Sequence, residues 1–307
     1  MKSISYFFLY RNLLSLNNKP SDFLIRCFVV CWAALLMTGC NVGKSAAAVH
    51  KQQKLEDVKY GVNERNVMDV YLPAERKEDT PFVVLIHGGA WVKAGKEYVR
   101  EIQDTILNNG IAVASINHRY ADINNIHYKE MVDDVDQALS YCSANAKNWG
   151  TRSEGFTLVG ASSGGHLALL TAYTTTKNIK SIVDFSGPTN VNDTTMLDYA
   201  SQAGLLDLVQ MMTGKAYKKG EPLASEFLDS SPLSHVKNIP VLIVHGTDDL
   251  VVPFSQSQVL DSKLDSLGYE HKLLKIPEAG HDLNLKEYNN RELIYGEMID
   301  WIRKYGK

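Results

Sequence analysis

A short run of apolar residues with no polar interruption must bury both of its faces, and this chain repeats such runs along its length. Phe82-Val83-Val84-Leu85-Ile86 is the clearest; similar runs recur at Ile111–Ile116, Phe156–Val159, Ile182–Phe185 and Val241–Val244. Runs of this length read as strands buried on both sides, the mark of a parallel sheet. Helical patterns lie between them, as in Met131-Val132, Val135, Ala138-Leu139 and Cys142. Alternating strands and helices predict an α/β fold, a mainly parallel central sheet with helices on both faces. Asn66–Leu72 alternates apolar and polar residues and stops at Pro73, as a half-buried strand does. The 307 residues suit one such domain plus a short extra segment. No internal repeat or low-complexity block breaks the pattern. Residues 189–237 depart from it with one helical stretch, Met196–Met212, and polar turns. An excursion of that length between two core strands is expected to be a lid.

The extra segment is N-terminal. Lys2, Arg11, Lys19 and Arg26 precede the apolar run Cys27–Met37, eleven residues long. That is the length of a signal-peptide core, whereas a membrane span needs about 20 apolar residues. The run ends in Leu36-Met37-Thr38-Gly39-Cys40, which resembles a bacterial lipobox with Met37 in place of the usual Leu. The expectation is a lipoprotein signal over residues 1–39, a lipidated Cys40, and a small, polar, flexible tether over residues 40–56. The catalytic domain would then run from 57 to 307. A plain secretory signal or an uncleaved anchor are the alternatives. Export to the bacterial cell envelope follows, with membrane attachment through the lipid only.

Of the four cysteines, Cys27 and Cys31 would leave with the signal and Cys40 would carry lipid. Cys142 then stands alone in a helical pattern and reads as a buried, inert thiol. With Lys+Arg at 32 and Asp+Glu at 35, the net charge is −3, and no basic stripe is present to hold a phosphate backbone. Nucleic acid is therefore not an expected partner. No two histidines have metal-ligand spacing and no Gly-rich loop has a P-loop or dinucleotide pattern, so neither metal nor cofactor is expected.

Four motifs carry chemistry. Gly160-Ala161-Ser162-Ser163-Gly164 follows the strand Phe156–Val159 and precedes the apolar helix Leu167–Leu170. G-x-S-x-G in a strand–turn–helix context presents its central serine on a tight turn, above a helix N-terminus that favours developing negative charge. Ser162 is the candidate nucleophile, and the N–H of Ser163 a candidate oxyanion donor. His87-Gly88-Gly89-Ala90-Trp91 follows the strand ending at Ile86. By analogy with HGGG-type loops, the N–H groups of Gly89 and Ala90 are the further donors, and Gly88 forms the turn. His87 is expected to shape this loop. Trp91 either walls an acyl pocket or packs beneath the loop. His245-Gly246-Thr247-Asp248-Asp249 follows the strand Val241–Val244 and offers two aspartates for a histidine-orienting carboxylate. Glu278-Ala279-Gly280-His281-Asp282 follows a strand-like Lys272–Ile276, which makes His281 the candidate general base. His118 and His166 are expected to be structural.

Together these motifs resemble the α/β-hydrolases of the HGGxW group. That group is similar to the hormone-sensitive-lipase-like carboxylesterases, the kynurenine formamidases and the bacterial bifunctional acetyl/feruloyl esterases. The resemblance runs from about Asp57 to the C-terminus and also takes in Val70-Tyr71-Leu72-Pro73 and Asn117-His118-Arg119. Many relatives carry Asn-Tyr-Arg at the latter position. Gly-Ala-Ser-Ser-Gly-Gly, where lipase-like members carry Gly-Asp-Ser-Ala-Gly-Gly, leads away from that branch. The order Ser162, Asp249, His281 is the family's order, and the family's spacing from the motif histidine selects Asp249 over Asp248. The resemblance implies a serine carboxylesterase acting on short-chain acyl esters, with acetyl or feruloyl esters of carbohydrates among its substrates. The alternatives are an amidase or formamidase, a serine peptidase on the same fold, or a binding lipoprotein without catalysis.

Overall fold

The structure, a computed structural model, describes residues 50–307. The signal segment, Cys40 and the tether up to residue 49 lie outside the described residues. Among the described residues, no helix is long and apolar enough to cross a membrane.

The strands are β1 (Gln53–Lys59), β2 (Val67–Leu72), β3 (Phe82–Ile86), β4 (Ala112–Ile116), β5 (Phe156–Ala161), β6 (Ile179–Phe185), β7 (Val241–Gly246) and β8 (His271–Ile276). They form one sheet in the order β1-β2-β4-β3-β5-β6-β7-β8. β1 pairs antiparallel with β2 and β2 antiparallel with β4; every pairing from β4 to β8 is parallel. The helices are α1 (Arg100–Asn108), α2 (Tyr128–Trp149), α3 (Ser163–Thr174), α4 (Thr194–Gln202), α5 (Leu206–Thr213), α6 (Ser225–Asp229), α7 (Ser255–Leu267) and α8 (Tyr288–Tyr305). This is the α/β-hydrolase architecture that the motifs imply.

The apolar runs explain the layering. In β3 all five residues are buried, but they alternate between two cores. Phe82, Val84 and Ile86 join the layer holding α2, α3 and α7, while Val83 and Leu85 join the layer holding α1 and α8. Burying each such side chain stabilises the fold by roughly 1.5–3 kcal/mol. Cys142, on α2, is fully buried without a disulfide partner, and burial pushes its thiol well above the usual range.

Two boundaries differ from those expected. The tether expected to reach residue 56 ends earlier, because Gln53–Glu56 already belong to β1. This edge strand, Gln-Lys-Leu-Glu-Asp-Val-Lys, points only Leu55 and Val58 toward the core, so its composition reads as a solvated linker. A buried ammonium secures it: Lys96 Nζ lies 2.9 Å from Asp69 Oδ1, 3.1 Å from Asp57 Oδ1 and 3.0 Å from Glu97 Oε1. The single helical stretch expected over Met196–Met212 is in fact two helices, α4 and α5, divided at Gly204, whose φ is +72°. The apolar residues continue across the break, so hydrophobic pattern alone could not reveal it.

The sheet's order reverses between β3 and β5: β4 lies on one side of the pair and β6 on the other. Such a switch point leaves a crevice at the carboxyl ends of the strands. His87 leaves β3 there, Ser162 leaves β5, and the loops carrying Asp249 and His281 leave β7 and β8. The segment expected as a lid supplies α4, α5 and α6, and residues of α4 and α5 line a cavity with Ser162.

Candidate active site

Ser162 occupies the turn between β5 and α3 with φ +55° and ψ −122°, a region that non-glycine residues rarely visit. Two bonds hold it there. Its N–H donates to the Phe185 carbonyl at 2.7 Å, and its own carbonyl accepts from the His166 N–H at 3.1 Å. The flanking glycines are required by contact. A Cβ on Gly160 would sit 2.1 Å from the Gly164 oxygen, and one on Gly164 would sit 2.3 Å from the Ile86 oxygen. The strain is thus sustained by close backbone packing and places Oγ above the start of α3.

His281 reaches that oxygen. Ser162 Oγ donates to His281 Nε2 at 2.9 Å, and His281 Nδ1–H donates to Asp249 Oδ2 at 2.7 Å. Asp249 is buried, and its other oxygen accepts the N–H groups of Val251 at 2.8 Å and Val252 at 2.9 Å. Burial alone would raise its carboxyl. Bonds from His245 and His281, the field of His281 and the Val252 N–H outweigh that and hold it well below the usual carboxylate range. Asp248, the competing residue, is exposed and accepts from the Thr247 hydroxyl at 3.2 Å.

The His87–Trp91 loop lies across the crevice from these groups. Gly89 has φ +117°, and a Cβ there would meet the Lys93 oxygen at 2.1 Å. Its carbonyl accepts from both Val92 and Lys93 N–H groups at 3.1 Å, closing a tight turn that carries Ala90 and Trp91 at φ +52° and +64°. Among the described residues, the N–H groups of Gly89, Ala90 and Ser163 donate to no protein acceptor. They remain available to a substrate oxygen.

His87 and His118 form the loop's base. Their rings stack at 4.5 Å and 14°, and each donates Nδ1–H to a neighbouring carbonyl, Gly88 or Arg119, at 2.6 Å. Burial pushes them down to about 3 and about 4, so both rings are neutral supports. Trp91 is buried. It lines a small cavity beside Ser162, and its Nε1–H donates to His166 Nδ1 at 3.2 Å.

Several residues at the site escape motif reading. His245 shares its Nε2–H between the Val252 carbonyl at 2.9 Å and Asp249 Oδ2 at 3.1 Å. The i,i+4 spacing inside His-Gly-Thr-Asp-Asp is the only sequence trace of that role. His166 Nε2–H donates to Ser230 O at 2.8 Å, which ties the 189–237 segment to the His87–Trp91 loop through one buried ring. Asp184, opposite Gly160 in the sheet, is fully buried. One of its oxygens accepts the Gly187 N–H at 3.0 Å, and the other finds no partner among the described residues. Burial pushes this carboxyl up to about 7, against opposing contributions from His245 and the Gly187 N–H. A charge inside the run Ile182-Val183-Asp184-Phe185 was the visible signal.

The fold and the elbow define an α/β-hydrolase with a serine, a histidine and an aspartate in bonding sequence. Residues 68–264 match the BD-FAE family, and the chain belongs to that family. A probable isoprenylcysteine alpha-carbonyl methylesterase of Oryza sativa subsp. japonica is 27% identical over 267 residues, covering 80% of this chain and 62% of that protein. An isoprenylcysteine alpha-carbonyl methylesterase of Arabidopsis thaliana is 25% identical over 276 residues, covering 84% and 64%. The chain thus spans under two thirds of the length of these relatives. A truncated carbohydrate esterase from gut microbiota superposes with a TM-score of 0.68 at 22% identity, covering 83% of this chain and 98% of that one, a likeness of fold.

Proposed function

We propose that the chain is a serine carboxylesterase that hydrolyses short-chain acyl esters, with acetyl or feruloyl esters of carbohydrates among its substrates. The observation that carries the reading is the position of one imidazole, 2.9 Å from a strained serine oxygen and 2.7 Å from a buried carboxylate. In this reading Ser162 Oγ attacks the ester carbonyl while its proton passes to His281 Nε2. The resulting oxyanion is held by the N–H groups of Gly89, Ala90 and Ser163, each donor being worth roughly 3 kcal/mol. The carbon–oxygen bond to the alcohol breaks, and His281 returns its proton to the departing oxygen. Water then attacks the acyl-enzyme with the same histidine as base. Free acid leaves and Ser162 regains its proton. Asp249 keeps Nδ1 protonated and stabilises the imidazolium in both halves.

The test is hydrolysis of p-nitrophenyl acetate and butyrate by the full chain and by Ser162→Ala. Turnover by the wild type and a loss of about 10⁴-fold or more in the variant are expected. Equal turnover by the two proteins would remove Ser162 from the reaction. The envelope location is a further part of the proposal and rests on the residues before Cys40. Its check is the mass of the membrane-fraction protein, which should carry acyl chains in wild type and lose them in Cys40→Ala.

A further inference from the structure

At the end of the sheet opposite the catalytic crevice, the domain gathers positive charge. A cleft of about 590 Å³ opens at the amino ends of β5 and β6, where Lys147, Arg152, Lys180 and Lys307 line it with Glu78 and Glu154. Ser162 follows the other end of β5, a strand of six residues. At a rise of about 3.3 Å per residue, the two sites lie about 20 Å apart.

Arg152 is buried in the cleft wall. It donates to four carbonyls: Thr80 at 3.0 Å, Asp79 at 2.8 Å, Gly155 at 2.7 Å and Gly306 at 2.6 Å. Arg76, also buried, donates to the carbonyl of Trp149, three residues before Arg152, to those of Lys51 and Pro73, and to Gln53 Oε1. Carbonyls satisfy the N–H groups but cancel no charge. Among the described residues, neither guanidinium forms an ion pair, and nor do the exposed Lys147, Lys180 and Lys307. A charge surrounded by protein is screened less than one in water, so the two arginines add their field to that of the lysines. Glu78, Asp79 and Glu154 offset part of it.

The chain enters the domain at this same end. The carbonyl of His50, the first described residue, accepts the Glu75 N–H at 2.8 Å. Its ring packs on Gly150 at the end of α2, where a Cβ would lie 2.3 Å from His50 Nε2. The next residue, Thr151, lines the cleft. Nine residues separate His50 from Cys40. Fully extended, they span at most about 30 Å. Each Lys or Arg near an anionic bilayer strengthens binding by about fivefold. Resting on the lipid-anchor reading of Cys40, we propose that this end of the domain docks on anionic phospholipid headgroups through Lys147, Lys180 and Lys307. The anchor brings the headgroup phosphates within reach, and the ammonium groups bind them as point charges. The docked domain turns the Ser162 crevice away from the membrane.

The experiment places the full chain on vesicles of phosphatidylcholine alone, or of an equal mixture with phosphatidylglycerol, and follows amine acetylation of each lysine by peptide mass. On the mixed vesicles Lys147, Lys180 and Lys307 should label about fivefold more slowly than on phosphatidylcholine. Lys93, exposed beside the His87–Trp91 loop, should label equally on both. High salt should remove the protection. Lys147→Gln with Lys180→Gln should return Lys307 to its rate on phosphatidylcholine. Equal labelling of the three lysines on both vesicles would overturn the docking. Protection of Lys93 in their place would reverse the orientation and overturn it too. Protection by inorganic phosphate alone, with no further effect of mixed vesicles, would assign the cleft to a small anion instead. A chain that does not stay on phosphatidylcholine vesicles would overturn the anchor reading. Labelling on mixed vesicles against the chain in solution would then still decide the docking.

Discussion

Asp249 is held by two histidines at once: its Oδ2 accepts from His281 Nδ1 at 2.7 Å and lies 3.1 Å from Nε2 of the buried His245. The second histidine fixes the carboxylate from behind while the first presents it to the serine. His245 is in turn pinned by the Ser257 hydroxyl at 2.6 Å and the Val252 carbonyl at 2.9 Å, so the loop after β7 closes around the acid.

Replacing His245 by Leu should therefore weaken catalysis without touching substrate. The bond from His245 is the strongest of the contacts that offset burial at Asp249 and keep it ionised. Without it the carboxyl rises toward its ordinary value, so the loss of kcat that accompanies protonation of Asp249 at low pH begins at a higher pH than in wild type. A tenfold fall in kcat with little change in KM is expected, on the order of 1.4 kcal/mol of transition-state stabilisation. A pH-rate profile superimposable on wild type would show that His245 serves packing alone.

The buried Asp184 gives a pH dependence of opposite sign. Its folded-state carboxyl is raised to about 7 from an ordinary 3.8, so the folded protein keeps a proton that the unfolded chain has released. Stability from this group is complete below about pH 4, declines as pH rises, and levels off above about pH 7. Asp249 contributes the reverse: stability present above the ordinary carboxylate range and lost as pH falls through it. Asp184→Asn, which keeps an oxygen for the Gly187 N–H, removes the first dependence. Its Tm should fall by several degrees less than that of wild type between pH 5 and pH 8. Parallel Tm curves for the two proteins would place the proton elsewhere.

The parts of this molecule that were legible from sequence are those where chemistry is local. A strand, a tight turn and a helix must be written within a dozen residues, so Gly160–Gly164 points to Ser162 without tertiary information. The buried strands are equally plain, since a run such as Phe82–Ile86 has no other stable place. Features that depend on contact across the fold are not written this way. β1 hides because an edge strand is half solvent, and its Lys, Glu and Asp are what an edge needs. The division between α4 and α5 at Gly204 hides inside a continuous apolar pattern. Partnerships such as His166 with Ser230, 64 residues apart, exist only once residues 189–237 have packed onto the helix after the elbow.

That last contact yields the remaining prediction. His166 accepts from Trp91 Nε1–H at 3.2 Å and donates to Ser230 O at 2.8 Å, with the rings of Trp91 and His166 edge to face at 5.3 Å. Burial pushes the imidazole down to about 4, so it remains neutral and keeps one donor and one acceptor through the physiological range. His166→Leu leaves the Trp91 N–H and the Ser230 carbonyl unpaired, each costing about 1–3 kcal/mol. Trp91→Phe releases only the first of these links. The Tm of His166→Leu should fall by about 4 °C or more. Its kcat/KM for a short ester should fall about tenfold, because both the His87–Trp91 loop proposed to hold the oxyanion and the segment ending near Ser230 are freed. Trp91→Phe should lose less of each. A His166→Leu protein that melts lower but turns over esters at the wild-type rate would reduce the link to a packing contact.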